Sequence, residues 1–182
     1  MSLTRDLSAF DNRAFVRGRP MAVEIMWRVV SVLIFRSSLV HHYGIKRSLL
    51  NVFGARISRG VRIKPNVTIT FPWKLSVGEN SWIGEGAWID NLDEVSIGAN
   101  VCISQGAYLC TGNHDYKKSS FDLTVAPIHI ENGAWVAAKA TVAPGTVMRT
   151  GAVLGMQSLG KGELEAFTVY QGNPSEKLTK YA

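Results

Sequence analysis

Residues 77–109 read VGENSWIGEGAWIDNLDEVSIGANVCISQGAYL, and an aliphatic residue recurs in this stretch at steps of six. The series has one break of two extra residues and consists of Val77, Ile83, Ile89, Ile97, Ile103 and Leu109. The pattern extends in both directions to fourteen units, the others starting at Ile57, Ile63, Ile69, Ile130, Val136, Val142, Met148 and Leu154. A surface helix would repeat near 3.6 residues and a sandwich strand near 2, so neither explains a period of six.

A second regularity concerns the residue four places after each aliphatic one, which is small or Val in eleven of the fourteen units. The exceptions are Trp73, Asp93 and Asn113, and each stands in a third unit, where the step of six is interrupted. The pattern predicts an all-β fold, a left-handed parallel β-helix of about five coils over residues 57–160, with three units to a coil and all insertions at one corner. Glycines directly after core positions suit its tight turns: Gly78, Gly84, Gly98 and Gly155.

The two ends of the chain do not follow the repeat. We expect residues 1–56 to form a helical capping segment and residues 161–182 to form a C-terminal tail. The apolar run 29–35 is much shorter than the roughly 20 residues that span a bilayer. A helix or helix pair covering the lower end of the coil explains this segment, and a membrane-surface helix is the alternative, because basic residues and Trp27 flank the run.

Composition limits the class of protein. Apolar residues make up 46% of the 182 residues and charged ones 19%, which excludes a disordered chain, a collagen and a coiled coil. The net charge of +6 lies entirely in residues 1–56, which hold nine Lys or Arg against three acids, so the body lacks the basic surface of a nucleic-acid binder. Cys102 and Cys110 form no disulfide or zinc motif, and no secretory signal opens the sequence. We therefore expect a cytoplasmic protein without a metal.

The longest interruption of the repeat is the loop 110–129, within the sequence CTGNHDYKKSSFDLTVAPIHI. A loop of this length in a compact fold is usually functional or disordered. His114 is its strongest candidate for a general base, because neutral imidazole accepts a proton near neutral pH.

The repeat, the loop TGNHDY, the return PIHIENGAWVAAKATVAPG and the closing QGNPSEKL together resemble the hexapeptide-repeat acyltransferases, in particular the colanic-acid and exopolysaccharide O-acetyltransferases. The resemblance implies direct transfer of an acetyl group from acetyl-CoA to a sugar hydroxyl, with His114 as the base and backbone N–H groups stabilising the oxyanion. It implies no covalent acyl-enzyme.

The resemblance also assigns binding residues and an assembly. Those expected at the acceptor sugar are Asp90, Asn91 and Asn113. Those expected at CoA are Trp135, Ala137, Ala138, Lys139, Lys161 and Lys177. The family implies a homotrimer with active sites between subunits, and outward Trp82, Trp88 and Trp135 fit such contacts. The acceptor is either a small molecule or a lipid-linked sugar, and the latter agrees with peripheral contact at the inner membrane surface.

Two other functions share this coil. A γ-carbonic-anhydrase-like protein needs three histidine ligands for zinc, whereas the repeat region holds only His114 and His129, and His41 and His42 lie in the N-terminal segment. A non-catalytic polysaccharide-binding solenoid needs no loop of this kind. Both remain as alternatives at this point.

Overall fold

The protein is a parallel β-solenoid of about six turns with two short helices at one end. The structure is a computed structural model and describes residues 4–13, 15–40 and 42–182. The fold predicted from the six-residue repeat is confirmed.

The helices are α1 (Met21–Val30), which continues as a π-helical turn (Ser31–Phe35), α2 (Tyr43–Val52) and two short 3₁₀ turns (Leu7–Ala9 and Pro72–Lys74). The strands are β1 (Arg56–Ile57), β2 (Arg62–Ile63), β3 (Thr68–Ile69), β4 (Leu75–Val77), β5 (Trp82–Ile83), β6 (Trp88–Asp90), β7 (Val95–Ile97), β8 (Cys102–Ile103), β9 (Tyr108–Cys110), β10 (Gly112–His114), β11 (Leu123–Val125), β12 (Ile128–Ile130), β13 (Trp135–Val136), β14 (Thr141–Val142), β15 (Val147–Met148), β16 (Val153–Leu154), β17 (Leu159–Gly160), β18 (Glu163–Leu164), β19 (Thr168–Gln171) and β20 (Glu176–Lys180).

Three parallel sheets form the sides of the coil. Face A has the strand order β1-β4-β7-β12-β15-β18, face B has β2-β5-β8-β13-β16-β19 with β20 added at its end, and face C has β3-β6-β9-β14-β17. Corresponding repeat residues are register partners on successive turns, as in Ile83 with Ile103 and Ile103 with Val136. The insertions all lie between face C and face A, at an edge that we call the loop corner.

The repeat residues form the core, because alternate strand residues point inward and stack along the solenoid axis. Face B contributes four fully buried repeat residues to this core: Ile63, Ile83, Ile103 and Val136. Ala87, Ala107 and Ala140 fill corner positions with no exposed surface. The small residue in each unit therefore occupies the tight space inside a turn.

The two helices close the lower end of the coil, where the first turn would otherwise leave carbonyl groups unpaired. Trp27 of α1 donates its Nε1–H to the Ile69 carbonyl at 2.8 Å. Lys46 of α2 is completely buried and donates from Nζ to the carbonyls of Ile63 (3.3 Å) and Lys64 (3.1 Å). Burial lowers the pKa of Lys46. No helix in the described ranges has both the length and the apolar character needed to cross a membrane.

The upper end extends beyond residue 160, where we expected a tail to begin. β18 pairs in parallel with β15, and β19 pairs in parallel with β16, so residues 163–171 add a further turn. β20 then pairs antiparallel with β19. The solenoid thus has about six turns rather than five, and most of the expected tail belongs to it.

Residues 4–13 and 15–19 lie outside the two capping helices that we expected to fill the 1–56 segment. They run along the loop corner instead. Trp73 donates its Nε1–H to the Arg17 carbonyl at 2.6 Å, and Lys74 donates from Nζ to the Val16 carbonyl at 2.8 Å. Phe15 packs against Phe71, with 6.2 Å between ring centroids. This segment, which we call the N-terminal strap, leads from α1 to the long loop.

Candidate functional site

The long loop at the loop corner is an antiparallel hairpin. β10 pairs with β11, and His114 is the register partner of Leu123. Thr111 anchors its base, because its hydroxyl donates to the Asp90 carbonyl at 3.0 Å and its own carbonyl accepts from the Ala126 N–H at 3.0 Å. The hairpin therefore holds His114 on an ordered element of the solenoid.

His114 is half-buried, and its imidazole has two defined contacts with Phe121. The rings stack with 4.2 Å between centroids and 6° between planes, and Nδ1 lies 2.8 Å from the Phe121 carbonyl oxygen. A carbonyl can only accept, so Nδ1 carries the proton of the neutral ring and Nε2 keeps a free lone pair. This tautomer is the one that a general base acting through Nε2 requires.

The N-terminal strap covers the hairpin near this histidine. Phe10 lies 6.0 Å from His114 between ring centroids, and the Arg5 guanidinium lies 4.8 Å from the Phe121 ring centroid. The Asp6 N–H donates to the Ser119 carbonyl at 2.9 Å. Sequence reasoning missed Phe121, Phe10 and Arg5. The repeat carries no information about these contacts, which join segments more than a hundred residues apart or lie inside the loop.

Asp90 and Asn91 lie at the loop corner below the hairpin, but only one of them is open to a ligand. Asp90 accepts from the Thr70 hydroxyl (2.9 Å) and the Tyr108 hydroxyl (3.3 Å). Burial, helped by the neighbouring Cys110 and Asp90, raises the pKa of Tyr108, so this phenol stays a neutral donor.

Asn91 does not fit the acceptor role that we expected. It is completely buried, and its amide accepts from the Phe71 N–H (2.9 Å) and donates to the Phe71 carbonyl (2.6 Å). Its side chain links the loop corner of the second turn to the backbone of Phe71 on the first turn. Asn113 is exposed on β10, and its Oδ1 accepts from the His114 N–H at 2.8 Å.

Four of the residues expected at CoA lie on the fourth turn. Trp135 is 47% exposed on face B, where its Nε1–H donates to the Ser104 hydroxyl at 2.8 Å and its ring lines a cleft of about 510 Å³ shared with Trp82. Ala137 is buried, and its N–H already donates to the Leu154 carbonyl at 2.9 Å, so it does not offer this group to pantetheine. Ala138 is half-buried and Lys139 is exposed at the adjoining turn.

The remaining two lysines lie elsewhere in the chain. Lys161 is exposed in the turn between β17 and β18, which belongs to the loop corner, whereas Lys139 lies at the corner between faces B and C. Lys177 on β20 forms an ion pair with Glu165 at 2.6 Å. One chain alone therefore does not gather the three lysines into a single phosphate site.

The other polar candidates do not assemble into a metal centre. His129 points outward on face A and lies 2.7 Å from the Ser96 hydroxyl through Nδ1. Within residues 4–13, 15–40 and 42–182, no three His, Cys, Asp or Glu side chains are grouped so that they could hold a metal ion. His41 lies outside the described residues. Cys102 and Cys110 are both half-buried free thiols.

Comparison with known proteins identifies the family. No protein-family model matches the chain. A protein of Escherichia coli strain K12 described as a colanic acid biosynthesis acetyltransferase, WcaF, is 39% identical over 172 residues, which is 94% of both chains. The chain belongs to the hexapeptide-repeat acetyltransferases.

Solved structures of acetyltransferases share this solenoid. The hexapeptide-repeat acetyltransferase VCA0836 of Vibrio cholerae, solved with acetyl coenzyme A, superposes with a TM-score of 0.78 at 17% identity over 87% of both chains. A maltose O-acetyltransferase from Clostridium difficile 630 gives a TM-score of 0.76 at 20% identity over 90% of both chains. Because the sequence identity to these structures is low, the superpositions support the fold of this chain and nothing further.

Proposed function

We propose that this acetyltransferase transfers the acetyl group of acetyl-CoA to a sugar hydroxyl during polysaccharide biosynthesis, with His114 as the general base. The observation that carries the proposal is the hydrogen bond from Nδ1 of His114 to the Phe121 carbonyl, because it leaves Nε2 as the acceptor. The WcaF relative supports a polysaccharide context, and the acetyl-CoA complex of VCA0836 supports the donor.

The chemistry is a direct transfer. Nε2 of His114 takes the proton of the acceptor hydroxyl while its oxygen attacks the thioester carbonyl carbon of acetyl-CoA. The new C–O bond forms as the C–S bond breaks, and the imidazolium returns its proton to the CoA thiolate. The products are an O-acetylated sugar and free CoA thiol, so the imidazole ends in its starting state.

The acceptor binds near the loop corner in this proposal. The Asp90 carboxylate and the Asn113 amide are side chains there that can hydrogen-bond sugar hydroxyls, and the acceptor is a free or a lipid-linked sugar. Trp135, Ala138 and Lys139 contact the CoA arm, and Lys161 contacts a CoA phosphate. Because the two free thiols form no disulfide, we place this reaction in the reducing cytoplasm.

Two measurements test the proposed activity. We expect acetyl-CoA to raise the unfolding temperature of the protein, since a ligand that binds only the folded state stabilises it. We expect a panel of sugar acceptors to show release of free thiol that depends on both acetyl-CoA and the protein. A protein that neither binds acetyl-CoA nor releases thiol with any sugar would contradict the proposal.

We also propose that the protein works as a homotrimer. Trp82 and Trp135 on face B and Trp88 on face C are each nearly half exposed, and Trp88 packs against Tyr108 with 4.8 Å between ring centroids and 35° between ring planes. Aromatic patches on flat sheet faces are typical of subunit contacts. Light scattering should give three times the 19.9 kDa of one chain, and a mass equal to one chain would contradict the trimer.

A further inference from the structure

One side of the N-terminal helix is apolar and uncovered. Glu24, Trp27 and Phe35 on its inner side are buried against the first coil. The opposite side of α1 and its π-helical turn points away from the solenoid, and every large apolar residue on it is more than half exposed: Met21, Ile25, Met26, Val29, Val32 and Leu33. We call these six residues the apolar end face.

The spacing of the residues in the apolar end face places them on one side of the helix. Positions 21, 25, 29 and 32 to 33 follow one helical stripe, and the inner stripe is already used by the core. Continuous exposed apolar surface of this kind marks an interaction site in a folded protein.

The charge around the face indicates the chemistry of that partner. Residues 12–78 contain twelve Lys or Arg and a single acid, Glu24. Glu24 is buried and ion-pairs with Arg17 at 2.8 Å, so it presents no negative charge outward. Arg28 and Arg36 are exposed on the same helical segment. The partner therefore combines an apolar layer with negative charge.

A second copy of this chain does not match that description. A symmetric contact between two copies would place Arg28 and Arg36 of one chain against the same residues of the other, and such like-charge contacts are unfavourable. An anionic bilayer offers both features at the right depths, acyl chains below and phosphates above. Amphipathic helices with cationic borders bind such surfaces in the interface plane.

We propose that the apolar end face docks this protein on an anionic lipid bilayer. Ile25, Val29 and Leu33 enter the boundary of the acyl chains, and Arg28 and Arg36 contact lipid phosphates. The long hairpin begins on the third turn, about 10 Å along the axis from the first turn at the usual spacing of paired strands. Docking at the helical end thus leaves the hairpin clear of the bilayer. This inference does not depend on the reaction that the protein catalyses.

Vesicle co-sedimentation of the full chain tests the docking. We expect binding to vesicles of phosphatidylcholine mixed with phosphatidylglycerol, weaker binding to phosphatidylcholine alone, and loss of the difference at high salt, because salt screens the arginine contacts. Equal binding to both vesicle types, or no binding to either, would overturn the proposal.

Two variants separate docking from folding. Val29→Glu with Leu33→Glu should reduce the vesicle-bound to free ratio by about tenfold or more, since two apolar side chains then lose their burial in lipid. Both positions face solvent, so the unfolding temperature should not change. The matched control is Met156→Glu with Leu178→Glu, which alters two equally exposed residues near the other end of the solenoid and should bind vesicles like the wild type.

The same variants distinguish a bilayer from a protein contact. If the Val29 and Leu33 substitutions lower the mass seen by light scattering while vesicle binding persists, the face joins copies of the chain and the proposal is wrong. If the Met156 and Leu178 control also loses vesicle binding, the effect is one of total charge and the proposal is likewise wrong.

Discussion

Replacing His114 with alanine should lower the rate of thiol release by about 10²-fold or more, equivalent to roughly 3 kcal/mol of transition-state stabilisation. The reason is that the variant has no group at this position to accept the proton of the attacking hydroxyl. The hairpin should stay folded, because its backbone pairing and the Thr111 anchor do not use the imidazole. Turnover, acetyl-CoA binding and the unfolding temperature should be measured on the same preparation.

The matched control is His129→Ala, since His129 points outward on face A and bonds only to the Ser96 hydroxyl among its described partners. It should retain most of its turnover. Near-normal turnover in the His114 variant, or equal losses in both folded variants, would reject His114 as the base.

The repeat alone was enough to predict the register of the solenoid. Ile83, Ile103 and Val136 are partners on successive turns because one inward residue per strand must stack along the axis. The same logic placed the insertions, since an extra residue can leave the coil only at a corner. The hairpin followed from the largest interruption, although its pairing was not predictable from composition.

The upper end was underestimated because the pattern weakens there. Gly160 stands at a repeat position of face C and Tyr170 at one of face B, so the aliphatic series ends while the pairing of strands continues. Backbone hydrogen bonds do not need an aliphatic side chain. A search for aliphatic residues therefore stops before the solenoid does.

The surroundings of His114 were predictable only in part. The loop position identified the histidine, but its partner Phe121 and the strap residues Phe10 and Arg5 depend on how the loop and the N-terminus fold back. The burial of Asn91 was not predictable for a related reason. Its amide bonds are with the backbone of Phe71, one coil below, and a linear reading does not show them.

Gly84→Ala should be among the most destabilising single substitutions in the coil. Gly84 donates its N–H to the Ile103 carbonyl at 2.7 Å, which places it directly under the next turn. A methyl group at Gly84 would lie 2.6 Å from the carbonyl carbon of Ser104 and 2.7 Å from the amide nitrogen of Gln105. Backbone atoms cannot rotate away as side chains can, so the second and third turns would have to separate.

The expected cost of Gly84→Ala is about 3 kcal/mol or more in the free energy of unfolding, since overpacking against backbone exceeds the usual range for core substitutions. Urea denaturation measures it, and the unfolding temperature should fall by roughly 10 °C. Gly162→Ala is the control, because a methyl group there meets nothing within 4 Å but must adopt a φ of +72°. Its cost should be about 1–2 kcal/mol, the strain of a left-handed residue alone. A loss in Gly84→Ala no larger than that in Gly162→Ala would contradict the prediction, because it would show that the two turns relieve the contact at little cost.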